Sequence, residues 1–254
     1  MKHLSDKYAV RALTRDATKP AAQRLVSLGA EAVSADFDDE ASLTKAFAGA
    51  DAIFGITNFW DQYSVETEVR QGLLVAKVAS ELPHLEHFIF SSLADATKLA
   101  GGVFKNVLPY NAKSAIRDGT IERYPELWAK TTTLFISFYY QNWLKYAAAF
   151  GPEKVIKDLP MPYRGLDPGC EEVGLTGLPP SQQADGSFAL IQPYPHTAML
   201  SAASSSDTGV LVAEILAGGA KYFQKTVSLV GTYVSVGELL KSWSESKRSG
   251  STLL

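Results

Sequence analysis

Cysteine is nearly absent: Cys170 stands alone in 254 residues. A single thiol excludes an intrachain disulfide, fits a reducing compartment and does not by itself argue for thiol catalysis. No apolar run approaches the roughly 18 residues a bilayer-spanning helix needs, and the opening residues, MKHLSD, are polar, so neither a membrane segment nor a leader is expected. An excess of one charge is missing too. Lys plus Arg number 24 against 27 Asp plus Glu, a net charge of −3, with no basic block for nucleic-acid phosphates to follow. These absences read as a soluble, cytoplasmic protein without nucleic-acid or membrane partners. No strand-turn-helix nucleophile elbow and no phosphate-cradling loop with Lys and Ser is present. His84 and His87 flank a strand start, where side chains diverge, so a metal site is not expected.

Apolar side chains make up 46% of the chain, enough for one sizeable core. Strand and helix patterns alternate at short spacing, as in a parallel sheet covered by helices on both faces. Strands are expected at Tyr8–Leu13, Glu31–Ala35, Asp51–Ile56, Glu86–Ser91, Thr131–Ser137 and Lys225–Val230. Helices are expected at Ala17–Leu28, Asp39–Phe47, Ser64–Glu81, from Pro109, at Asp207–Ala217 and at Val236–Ser244, with Gly29 and Gly49 as stops. The fold class is α/β, a doubly wound and mostly parallel sheet. Residues 1–138 form its core. Residues 139–254, broken by prolines, form a small substrate-side region with returning helix and strand elements in the same domain.

The first strand runs into Thr14, Arg15 and Asp16, a charged loop of the kind that follows strand two in a doubly wound, Rossmann-type sheet. Strand one, whose glycine-rich turn seats a pyrophosphate on a helix N-terminus, would lie upstream. Only MKHLSD precedes, so the pyrophosphate site is expected to be missing from this chain, as in a fragment or a clipped gene model. In the order 3-2-1-4-5 strand one is central. Its absence would leave two inner edges unpaired, unless Tyr8–Leu13 closes directly onto Asp51–Ile56.

Several segments carry a family likeness: VRALTRD from Val10, GAEAVSADFDDEASLTKAFAGADAIFGIT from Gly29, HFIFSSLAD from His87 and SFYYQNWLKY from Ser137. In this order and spacing the chain resembles the NmrA-like family of atypical short-chain dehydrogenases, fungal nitrogen-repression regulators and related NAD(P)-binding oxidoreductases. The resemblance runs from Lys7 to Ser244 and departs at the amino terminus and in the final tail.

It implies a site at the carboxyl edge of the sheet. Arg15 would hydrogen-bond a ribose 2′-phosphate, favouring NADP over NAD, or stand as a solvated loop arginine. Asp36 would lie near the adenine, or serve as a helix cap. Thr57 and Asn58 would line the cofactor ribose and phosphates, or make an ordinary turn. Ser91 and Ser92 would offer a hydroxyl to a substrate carbonyl, or cap the strand. Lys113 would hold the nicotinamide ribose and lower the pKa of a neighbouring hydroxyl. Tyr110, three residues earlier on the same helix face, is the candidate proton donor, although standard short-chain dehydrogenases space this pair by four. Phe138, Tyr139, Tyr140 and Trp143, with Gln141 and Asn142, would wall a pocket.

The expected function is an NADP-dependent oxidoreductase, with NAD as the other cofactor, acting on a small organic carbonyl or conjugated substrate. The resemblance extends this to fungal secondary metabolism. The alternatives are a non-catalytic dinucleotide sensor that holds a regulatory protein partner, nuclear in that role, or an inactive truncated paralogue.

Overall fold

The computed structural model describes residues 7–145, 153–154, 188–189 and 196–248. These form two compact units, one of Met1–Ile136 with Ser206–Leu229 and the other of Ser137–Ser205 with Val230–Leu254. The sequence places its break after residue 138 and leaves the returning elements outside the core. In the structure the break follows Ile136, and the returning segment Ser206–Leu229 packs into the first unit.

The first unit opens with β1 (Arg11–Thr14), α1 (Pro20–Ser27), β2 (Glu31–Ser34), α2 (Glu40–Phe47) and β3 (Ala52–Gly55). It continues with α3 (Val65–Ser80), β4 (His87–Ser92), α4 (Ala96–Leu99), α5 (Leu108–Arg123), α6 (Pro125–Trp128) and β5 (Thr131–Ile136). Local chemistry sets the starts. Pro20 occupies the first turn of α1, where a missing N–H costs nothing. Asp39 caps α2 through the N–H groups of Ala41 and Ser42, and Ser64 caps α3 through that of Thr67. Gly29 and Gly49 adopt φ of 92° and 73°, the left-handed turn that ends α1 and α2 at little steric cost.

β3, β4 and β5 are parallel, and residues Thr226–Leu229 join β5 as a further parallel strand. Every residue of β4 is buried. Alternation then divides its side chains between two cores. Phe88 and Phe90 face α2 and α3, packing with Phe47, Ile53, Val75 and Val78. Ile89 faces the other way, with Leu134, Val212 and Ile215, the last two from the helix Asp207–Gly218. Helices thus cover both faces of a parallel sheet.

β1 and β2 form a separate parallel ladder, with Arg11 opposite Glu31 and Thr14 opposite Ser34. Leu13 and Val33 pack on the same core as β3 and β4, and Arg11 Nη1 donates to the carbonyls of Ala46 and Ala48 at 2.8 and 2.9 Å. Among the described residues no ladder joins β1 to β3. The direct closure weighed from the sequence does not form, and the pairs β2–β1 and β3–β4–β5 follow a doubly wound order with its central strand left out.

The second unit contains β6 (Phe138–Tyr139), α7 (Gln141–Lys145), β7 (Glu153–Lys154), β8 (Phe188–Ala189) and β9 (Met199–Ala203). With the helix Asp207–Gly218 as α8 and Thr226–Leu229 as β10, both in the first unit, the chain closes with β11 (Thr232–Ser235) and α9 (Val236–Arg248) in the second. β9 pairs antiparallel with β11 and parallel with β6, and β7 pairs antiparallel with β8.

Candidate functional site

A cavity of about 310 Å³ opens where β1, β2 and β3 end, lined by Arg15, Asp36, Asp38, Asn58, Asp61 and Gln71 among others. This is the carboxyl edge, where open parallel sheets bind ligands. Short polar residues fold its rim. Asp36 Oδ1 accepts the Asp38 N–H at 3.0 Å, while Asn58 Oδ1 accepts the Trp60 N–H at 3.3 Å and caps the short turn Phe59–Asp61. The turn-forming alternative holds for Asn58, whereas the capping alternative for Asp36 does not, because Asp39 caps α2; both residues line the cavity. Arg15 Nη2 meets Asp61 Oδ2 at 2.9 Å, and Asn58 Nδ2 donates to the other Asp61 oxygen at 2.8 Å. A hydrogen bond from Gln71 Nε2, then the Arg70 guanidinium, holds the Asp38 carboxyl below its usual range, with Arg15 adding to the effect.

A second cluster lies deeper. Lys113, on α5, reaches across to the end of β3 and to α3. Its Nζ donates to Thr57 O at 2.8 Å, Thr57 Oγ1 at 3.0 Å and Glu68 Oε1 at 2.8 Å. Thr57 Oγ1 in turn donates to Glu68 Oε1 at 2.6 Å. Glu68 is 2% exposed, and its Oε2 is buried without a partner among the described residues. An ammonium has three hydrogens to give, and these three contacts take them all.

The candidates from the sequence therefore divide. Arg15, Asp36 and Asn58 share the cavity, and Thr57 meets Lys113. Ser92 is fully buried and donates to the backbone carbonyl of Lys113 at 2.9 Å, tying β4 to α5. Ser91 is buried within β4. Tyr110 lies exposed on the first turn of α5, and its hydroxyl bonds neither Lys113 nor any other described residue. Phe138 and Trp143 meet edge to face at 6.3 Å in the second unit. Gln141 there donates to Ser204 Oγ and accepts the Ser205 N–H, each at 3.0 Å, so this amide is satisfied by the segment that follows β9. His87 lies in the core, bonded to Thr132.

Sequence reading missed Asp61, Glu68 and Gln71. For Glu68 a signal existed. It sits four residues before Gly72 and seven before Val75, on the buried stripe of α3, where a carboxylate needs a partner.

Comparison with known proteins fits this architecture. The model of the NmrA-like family matches residues 2–253. The chain belongs to the NmrA-like family. An NmrA-like family domain-containing oxidoreductase of Aspergillus hancockii is 34% identical over 141 residues, covering 54% of this chain and 39% of that protein. Among solved structures, the negative transcriptional regulator Nmra superposes with a TM-score of 0.70 at 17% identity, over 96% of this chain and 65% of that one. The triphenylmethane reductase of Citrobacter sp., solved with NADP(H), gives 0.63 at 16% identity, over the full length of this chain and 72% of that one. At such identities the structures establish the NmrA-like fold alone. The chain spans well under half the length of the Aspergillus hancockii relative.

Proposed function

We propose that this NmrA-like chain binds the adenosine end of a nicotinamide dinucleotide, NADP in preference to NAD, and serves an oxidoreductase that reduces a carbonyl or conjugated double bond of a small organic molecule. The observation that carries the reading is the cavity at the ends of β1, β2 and β3, with an arginine at the end of the second strand of a doubly wound order. The donor set fits the adenosine half. Arg15 offers its guanidinium fork to a 2′-phosphate, Asp36 stands to accept from the adenine amine, and Asn58 borders the ribose. Among the described residues no glycine-rich turn leads from a strand to a helix at this edge, so the fit extends to the adenosine half only. The bound dinucleotide would supply a hydride. Nmra has been solved with NAD and with NADP, and curated fungal relatives are oxidoreductases, which supports the same reading and its extension to fungal secondary metabolism.

The test is oxidation of NADPH by the purified chain in the presence of quinones, enones and aromatic aldehydes. Substrate-dependent oxidation supports the reading. Binding without turnover of any of them supports the second reading, a dinucleotide sensor that engages a regulatory protein partner. One observation favours that alternative: Thr57 and Glu68 fill all three donor positions of Lys113, and Tyr110 stands apart from it.

A further inference from the structure

We propose that Asp61 sets how strongly this site distinguishes a 2′-phosphate from a 2′-hydroxyl, by holding Arg15 in an internal ion pair that the phosphate must displace. The inference rests on the dinucleotide-binding reading above and names the residue that regulates its selectivity.

Asp61 is fixed from the protein side. Its Oδ1 receives the Asn58 amide at 2.8 Å, and Asn58 is itself held by the turn it caps. Its Oδ2 receives Arg15 Nη2 at 2.9 Å. Both side chains keep solvent contact, at 63% and 42% exposure, so the pair can open without disturbing a core. The other carboxylates on the cavity are otherwise engaged. Asp38 is matched mainly by Gln71 and Arg70, with Arg15 the smallest contributor and not bonded to it, and Asp36 accepts a backbone N–H. Arg15 is the one cation on Asp61 among the described residues.

A 2′-phosphate takes the guanidinium in place of the carboxylate. Asp61 then loses its cation and faces a second anion across the same cavity. A ribose 2′-hydroxyl asks for no such exchange, since it can donate to Asp61 while the ion pair stays closed. One carboxylate thus penalises NADP and favours NAD, opposing the preference that Arg15 confers.

The experiment is calorimetric titration of the chain with 2′,5′-ADP and with 5′-ADP at one fixed ionic strength, for the wild type and for Asp61→Asn, Asp61→Ala and Arg15→Gln. The asparagine variant keeps an oxygen for the Asn58 amide, and a thermal melt of each protein confirms folding. The expected result is that Asp61→Asn and Asp61→Ala tighten 2′,5′-ADP about fivefold, the upper range for an exposed ion pair, while 5′-ADP holds its affinity or weakens. Arg15→Gln should weaken 2′,5′-ADP alone. Unchanged 2′,5′-ADP affinity in both Asp61 variants, with the Arg15 effect intact, overturns the inference and leaves the binding reading standing. Failure of every protein to bind either nucleotide overturns both.

Discussion

Lys113 and Glu68 are joined where little water reaches, with side-chain exposures of 13% and 2%. In such surroundings the attraction of two charges mainly offsets the cost of drying them, whereas removing one partner strands the other at about 3–5 kcal/mol. Glu68→Ala and Lys113→Ala should each therefore cost at least about 3 kcal/mol in urea unfolding, and the double variant carrying both less than the sum of the singles. Additive losses would show that the charges are not coupled. His87 shows the opposite response to burial. Thr132 Oγ1 donates to the Tyr222 carbonyl at 2.9 Å and so accepts from His87 Nε2 at 2.7 Å, leaving Nδ1 a buried lone pair without a partner. The ring is neutral, and burial lowers its pKa from 6.5 to about 4. Below the unfolded value the denatured chain takes a proton that the fold refuses. Stability therefore falls as pH drops from 6.5 towards 4, by up to roughly 3 kcal/mol at the acid end. Urea midpoints for wild type and His87→Gln at about pH 7 and about pH 5 check this; equal slopes in the two proteins would count against it.

Whether Lys113 can reach Glu68 depends on how closely α3 and α5 approach, and two glycines set that distance. A Cβ on Gly72 would strike Ile116 Cγ1 and Cγ2 at 2.7 and 2.8 Å. Ile116 is 1% exposed and stiff at its branched Cβ, so it cannot step aside. On Gly119 the added carbon would meet Leu73 Cδ2 at 2.9 Å, the far end of a flexible chain. Gly72→Ala should therefore cost about 1–3 kcal/mol despite alanine's helical advantage, and Gly119→Ala should stay within about 1 kcal/mol of the wild type; equal urea midpoints for the two variants would contradict this packing. Elements of the first unit were largely legible because each carried its own local signal. β4 announced itself through the apolar Phe88, Ile89 and Phe90, and α2 and α3 through periodic segments expected to start at Asp39 and Ser64, which the structure makes their caps. β6 escaped because two residues are too short to show a period, and β9 because MLSAA lacks β-branched residues, whereas TYVS of β11 carried a β-branched and aromatic signal that went unread. The site divides similarly. Arg15, Asp36, Thr57 and Asn58 could be named as candidates because each follows a strand end, whereas Asp61 and Glu68 take their meaning from partners 46 and 45 residues away.

Across the whole first unit the unusual feature is a pair of strands each bonded on one side. A parallel strand uses alternate residues for its two neighbours, so among the described residues half of the backbone groups of β1 and β3 face no ladder. Such groups cost about 1–3 kcal/mol each if buried without partners, which requires that water or another segment meet them. Hydrogen exchange distinguishes the two. β4 is bonded on both sides, so its amides should exchange only through global opening, while every second amide of β1 and β3 exchanges orders of magnitude faster. Uniform slow exchange across all three strands would mean that the edges are covered. Ligand adds a sharper test, because the cavity proposed for adenosine is built on the ends of these same strands. A nucleotide that binds only the closed form stabilises it by about 2.7 kcal/mol at about a hundred times its Kd. Every amide whose opening dismantles the cavity should then slow about a hundredfold, the inner amides of β1 included. Amides on the open edges exchange without any opening and should not slow. If the inner amides of β1 also fail to slow while those of β4 do, the β1–β2 ladder opens without releasing the nucleotide, and Arg15 at its end cannot be what holds it.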